Sequence, residues 1–284
     1  MTPPTRTSTP LVTVEELAEQ LDSANPPLVI DARPAEQFAA GHLAGAVHLD
    51  LWGVSLIDTS PAPLRAFTWM VAHLFALRGV TPQRPVIVYQ EDSGPRAARL
   101  FWFLEYLGHP GVHVLDGGIR AWSAAGHATT TAAIAPAPST WQATPVTDRV
   151  ASWQDVLGCL RDPGTTILDT RSDAEFTGAV ARAKRGGAIP GALHLEWTHN
   201  LAPDGRFKPA SELRRMYAQL GVSPHQTVVT YCQGGYRAAH TYLALRTLGF
   251  PDVRNYTGSW KEWGDREDLP LAGANGVPPA DPAG

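Results

Sequence analysis

The stretch Thr227-Val228-Val229-Thr230-Tyr231-Cys232-Gln233-Gly234-Gly235-Tyr236-Arg237 runs from a β-rich segment through two glycines into a helical pattern. Apolar residues at successive positions, rather than alternate ones, suit a strand covered on both faces. The passage also has a counterpart upstream. Gly221-Val222-Ser223-Pro224 leads into Val228–Tyr231, just as Gly79-Val80-Thr81-Pro82 leads into Val86-Ile87-Val88-Tyr89 at an offset of 142. Leu28–Arg33 returns as Thr166–Arg171, Gly45–Leu49 as Gly191–Leu195, and Leu107–Pro110 as Leu248–Pro251, with offsets of 138, 146 and 141. Four matches in one order at nearly constant spacing identify an internal duplication.

The duplication implies two domains, residues 1–127 and 146–284, joined by an Ala-, Thr- and Pro-rich linker at 128–145. Each half alternates short strands, such as Leu28–Asp31 and Val86–Tyr89, with helical patterns such as Glu15–Leu21 and Ala97–Leu107. That alternation predicts an α/β class, each domain a parallel sheet flanked by helices on both faces. The helix expected from Ala238 should end at Gly249, whose left-handed tolerance suits a C-terminal cap, with Pro251 beyond it.

The chain has 284 residues, enough for two cores, and its 44% hydrophobic and 18% charged composition is that of a globular protein. A net charge of −4 and the lack of any long basic run argue against nucleic acid and anionic membranes as partners. The start, Met1 to Pro10, has no apolar leader core, and no apolar run approaches the ~20 residues of a membrane span, so the expectation is a soluble cytoplasmic protein. Two cysteines, Cys159 and Cys232, are too few for a disulfide framework or a cysteine zinc cluster, and local nucleotide-binding motifs are missing. No metal and no cofactor is expected.

Ligands of open parallel sheets bind at the carboxyl ends of strands, beside helix N-termini. Cys232 stands at such an end. Gly234 and Gly235 let the loop curl so that successive N–H groups face the sulfur, which predicts a stabilised thiolate. Gln233, Tyr236 and Arg237 complete a candidate substrate-binding loop, with the Arg237 cation placed to hold an oxyanion. The bland alternative is an inert buried cysteine in a glycine turn beside a surface arginine.

These residues resemble the rhodanese superfamily, specifically the tandem-domain thiosulfate and 3-mercaptopyruvate sulfurtransferases, from Leu11 to Leu269. The resemblance is carried by Asp31-Ala32-Arg33, Asp169-Thr170-Arg171, Gly41–Ala46, Gly187–Ala192, the cysteine loop and Gly258-Ser259-Trp260-Lys261-Glu262-Trp263. It implies a Cys232 thiolate that takes the sulfane sulfur of a small-molecule donor and passes it to cyanide, a thiol or a protein acceptor. It also implies a catalytic cysteine in the second domain alone. The sequence agrees, since Gln90 follows Tyr89 in the first domain, where Arg96 aligns with Arg237 and Glu91 and Asp92 would repel an anionic donor. The first domain is therefore read as structural or substrate-shaping.

Cys-Gln at the start of the loop and Arg at its end resemble bacterial thiosulfate enzymes more than mercaptopyruvate enzymes, which are the runner-up. Ala188 replaces the usual motif histidine that His42 keeps. About eight extra residues after Arg171 carry Arg182, Lys184 and Arg185, a solvated face or an anion-drawing patch. Cys159 is read as a buried hydrophobe on a helix at Trp153–Arg161. Two rivals are weighed. A cysteine phosphatase or arsenate reductase would need one more residue between Cys232 and Arg237. A persulfide carrier would hand its sulfur to one partner protein.

Overall fold

The computed structural model describes residues 9–272. The leaderless reading of Met1 to Pro10 lies outside the described residues apart from Thr9 and Pro10, as does the end of the second domain at 273–284. No helix among the described residues is long and apolar enough to cross a membrane.

Among the described residues, ten short strands form two five-stranded parallel sheets. The first holds β1 (Leu11–Val12), β2 (Leu28–Asp31), β3 (Val47–His48), β4 (Val86–Tyr89) and β5 (Val112–Leu115), in the order β1-β5-β4-β2-β3. The second holds β6 (Val150–Ala151), β7 (Thr165–Asp169), β8 (Leu193–His194), β9 (Thr227–Tyr231) and β10 (Val253–Tyr256), in the same relative order β6-β10-β9-β7-β8. The duplication read in the sequence is thus a duplication of topology.

Successive strand residues serve opposite cores, which is why the strands read as unbroken apolar runs. Leu28, Ile30, Val86 and Val88 face a core shared with helices Pro61–Ala76 and Pro95–Tyr106, whereas Val29 and Ile87 face Val14, Leu17, Ile119 and Trp122. The second sheet divides likewise, with Val228 on the side of Leu213 and Tyr217, and Val229 and Tyr231 on the side of Trp260 and Trp263.

The core holding Val86 is continuous with the one holding Val228. Helix Pro95–Tyr106 packs against helix Tyr236–Thr247, with the Phe101 and Tyr242 rings 6.4 Å apart, so the domains share one apolar interior. Both helices are consequently buried around most of their circumference. The join is also polar. Thr59 donates from its N and Oγ1 to the buried Glu262 carboxylate at 2.6 and 2.8 Å, and Tyr242 and Arg246 both donate to Glu105.

Helix Tyr236–Thr247 starts two residues before the expected Ala238, because Gly235 at φ +83° turns the chain directly into it; Gly249 ends it at φ +84°, as expected. Arg237 therefore belongs to the helix's first turn. Residues 128–145 contain no helix and no strand beyond a bridge of Thr130 to His42. They are nonetheless tied down, with Ser139 N donating to Ala76 O at 2.8 Å and Thr144 N to Leu107 O at 3.1 Å.

Candidate active site

Cys232 follows the last residue of β9 and is 1% exposed. Its Sγ accepts the N–H of Gly235 at 3.1 Å. Burial opposes ionisation, but the Arg237 charge and the N–H groups of Ala238, Gly234 and Gly235 outweigh it and hold the thiol below its ordinary value. The backbone is fixed as firmly as the sulfur. Cys232 N donates to Ser259 Oγ at 3.1 Å, Ser259 Oγ donates to Tyr256 O at 2.7 Å, and Trp260 N donates to Cys232 O at 2.9 Å.

Ser259 has φ +53°, a region that costs a residue with a side chain about 1–3 kcal/mol. The strain sits where the Cys232 loop is held. Sequence reading places Ser259 in a motif but gives it no part in the site.

The Arg237 charge favours the Cys232 thiolate, yet its fork is engaged elsewhere. Nη1 and Nη2 donate to the two oxygens of Glu175 at 2.6 and 2.9 Å. Burial works against the Glu175 carboxylate, but Arg237 and the cap hydrogen bonds of Ser172 hold its pKa at about 2. Arg237 is thus a braced cation beside the sulfur rather than a free anchor. Glu175 is missing from the residues singled out in the sequence. Its visible signal is the capping box Ser172-Asp173-Ala174-Glu175, which announces a helix start and not a partner for Arg237.

The remaining loop residues divide. Gln233 Nε2 donates to Arg182 O at 2.8 Å, tying the loop to the inserted segment. Gly234 has no left-handed φ, and a Cβ on it would meet only Ser55 Oγ at 3.6 Å, so nothing local demands glycine there. Gly235 is different. Its φ is left-handed and a Cβ would run into Arg99 and Thr257 O. Tyr236 points away from Cys232 into the first domain, with its hydroxyl 3.0 Å from both Leu51 O and Val54 O. Its place is the domain interface.

A rhodanese-like domain is matched twice, over residues 13–125 and 152–266. The chain belongs to the rhodanese family. It is 34% identical over 266 residues to the thiosulfate sulfurtransferase of Azotobacter vinelandii, covering 93% of this chain and 97% of that protein. With the thiosulfate sulfurtransferase of Corynebacterium glutamicum it shares 36% identity over 279 residues, 92% of this chain and 89% of the relative. The anaerobic ergothioneine biosynthesis enzyme from Chlorobium limicola, solved in complex with trimethyl histidine, superposes with a TM-score of 0.80 at 21% identity, covering 92% of this chain and 69% of its own. That last likeness is one of fold.

The two rhodanese domains repeat each other's scaffolding. Arg33 clamps Asp31 and Gly41 O, and Arg171 clamps Asp169 and Gly187 O. The motif histidine is part of that scaffolding: His42 Nδ1 meets Phe38 O at 2.8 Å, and the His42–Thr130 bridge has a counterpart in Ala188–Ala272. Ala188 therefore removes no group from the Cys232 site.

In the first domain the loop after β4 is filled from within. Gln90 Oε1 accepts the N–H groups of Arg96 and Ala97 at 2.6 and 3.0 Å. Arg96 donates to both oxygens of Asp50 at 2.6 and 2.7 Å. The loop also docks on the second domain, where Ser93 N donates to Gly205 O at 2.9 Å and the His240 ring donates to Ser93 O at 2.8 Å.

The basic cluster separates as well. Arg185 donates to the carbonyls of Trp263, Gly264, Arg266 and Leu269, closing the end of helix Ser259–Asp265. Arg182 keeps a mostly exposed side chain 3.7 Å from Glu175. Cys159 ends helix Trp153–Cys159, two residues earlier than expected, and burial pushes its thiol up.

Proposed function

We propose that the protein is a sulfurtransferase that moves the sulfane sulfur of thiosulfate to a thiophilic acceptor through a persulfide on Cys232. The Cys232 thiolate attacks the outer sulfur, the S–S bond of thiosulfate breaks, and sulfite leaves with the bonding pair. Cyanide or a thiolate then attacks the outer persulfide sulfur and releases the Cys232 thiolate. The names of the relatives from Azotobacter vinelandii and Corynebacterium glutamicum support thiosulfate as donor. The observation that carries the reading is the acidified Cys232 sulfur at the end of β9, accepting a loop N–H beside the braced Arg237.

In this reading Gln233, Gly234, Gly235, Tyr236 and Arg237 form the substrate-binding loop, with Tyr236 acting from the interface, and Glu175 and Ser259 join them as positioning residues. Residues 1–127 form the domain without a catalytic cysteine, 128–145 the linker, and 146–284 the catalytic domain. The protein works in the cytoplasm, where thiols stay reduced.

The test is cyanide-dependent thiocyanate formation with thiosulfate and with 3-mercaptopyruvate side by side, using Cys232→Ser as blank. A thiosulfate preference supports the reading, a mercaptopyruvate preference moves the donor, and no turnover with either defeats it.

A further inference from the structure

Arg99 belongs to the first domain, in helix Pro95–Tyr106, yet it lies under the cysteine loop of the second. It is fully buried, and none of its three side-chain nitrogens has a hydrogen-bond partner among the described residues. Its guanidinium carbon sits 5.1, 4.6 and 4.7 Å from the ring centres of Trp102, Phe103 and Tyr236. Aromatic faces recover only part of what a cation loses on leaving water. Arginine elsewhere in this chain is treated differently, since Arg33, Arg96, Arg171 and Arg237 each grip a carboxylate.

What Arg99 faces is Gly235. A Cβ at that residue would collide with Arg99 Nη1, and the Gly235 N–H is the donor to Cys232 Sγ. Gly235 therefore meets the sulfur through its N–H and the guanidinium through the space that a Cβ would fill. Burial lowers the Arg99 pKa to about 10, and the charges of Tyr236 and Cys232 work in the opposite direction. A guanidinium with that pKa is still charged at neutral pH.

We propose that Arg99 is the first domain's contribution to the active centre, a positioning residue whose counter-ion is the anion on Cys232, as thiolate and then as persulfide. The buried charge left without a fixed partner is balanced only when the sulfur is ionised. The charged groups facing Cys232 are then Arg237 with its partner Glu175 in the second domain and Arg99 in the first. A domain without a catalytic cysteine thereby acts on the other domain's sulfur through Gly235. Gly235 is fixed as glycine from both sides, by its φ and by Arg99.

This rests on Cys232 being the sulfur carrier, but it is read without turnover. The thiolate of Cys232 is titrated by ultraviolet absorbance in the full chain, with the Cys232→Ser signal subtracted, for wild type, Arg99→Met and Arg99→Lys. Arg99→Met keeps the length and the aromatic packing and removes the charge. Its midpoint is expected about one pH unit above wild type, with about tenfold less thiolate at a given pH below it, and Arg99→Lys is expected between the two. At pH values below the Cys232 midpoint, where the thiol is neutral and Arg99 has no counter-ion, the Tm of Arg99→Met should equal or exceed that of wild type. Arg99→Gln replaces it should the Met variant not fold. A midpoint unchanged in the uncharged variant, or shifted equally in Met and Lys, would overturn the assignment. Failure of the sulfur-carrier reading shows separately, as a Cys232→Ser protein that still forms thiocyanate.

Discussion

Glu175 holds Arg237 by two hydrogen bonds of 2.6 and 2.9 Å, and the cation so held lowers the pKa of Cys232. The carboxylate fixes the guanidinium and at the same time cancels part of its field. Glu175→Gln keeps the shape and removes the charge. It is expected to move the Cys232 thiolate midpoint down by about one unit, read by thiolate absorbance. The Glu175 pKa is lowered, so its contribution to stability is present above about 4.5 and is lost as pH falls toward about 2. Glu175→Gln should accordingly be less stable than wild type at neutral pH, with the gap closing over that acid window.

Arg237→Ala does more than weaken donor binding. Sequence alone suggests a raised donor KM. The structure adds a buried Glu175 left with only Ser172 and the mostly exposed Arg182, a loss of up to about 3–5 kcal/mol of stability. Urea unfolding should show that loss, and Arg237→Ala with Glu175→Ala together should recover most of it, because the orphaned charge goes too.

Gln90→Cys is expected to remain at the blank level of sulfur loading when combined with Cys232→Ser. A thiol there would enter a loop one residue longer, whose arginine is already bound to Asp50. The measurement is thiocyanate formation, and substantial turnover would show that residue identity alone silences the first domain.

Glu262 is buried beneath Thr59 without an ion pair among the described residues, and its pKa is raised by that burial. A raised carboxyl stabilises the fold below its unfolded value near 4.5, and that contribution is lost as pH rises through the folded value. Glu262→Gln should lack this dependence. Its Tm relative to wild type is expected to be highest at pH 7 and to fall as pH approaches 4.5, by scanning calorimetry across that range.

Topology was legible because the repeat and the two-sided apolar strands are local patterns, and Leu28–Asp31, Val86–Tyr89 and Thr227–Tyr231 stand where those patterns put them. Cys232 was legible because a cysteine before two glycines at a strand end has a local electrostatic meaning. Glu175, Ser259 and Arg99 were not, since each acts across a long gap in sequence. Glu175 reads as a helix cap, Ser259 as a motif member and Arg99 as one more arginine on a helix. Only tertiary packing brings them to the sulfur. Tyr236 illustrates the converse: its place beside Cys232 in sequence gives no sign of the domain interface, where its hydroxyl donates to Leu51 O and Val54 O.

The central claim is that Cys232 carries sulfur covalently, and intact-protein mass spectrometry after brief exposure to thiosulfate tests it most directly. The expected result is a gain of one sulfur atom, located to the Cys232 peptide, absent in Cys232→Ser and discharged by cyanide. An unmodified Cys232 under conditions where thiosulfate is consumed, or sulfur found on Cys159 instead, would contradict the account.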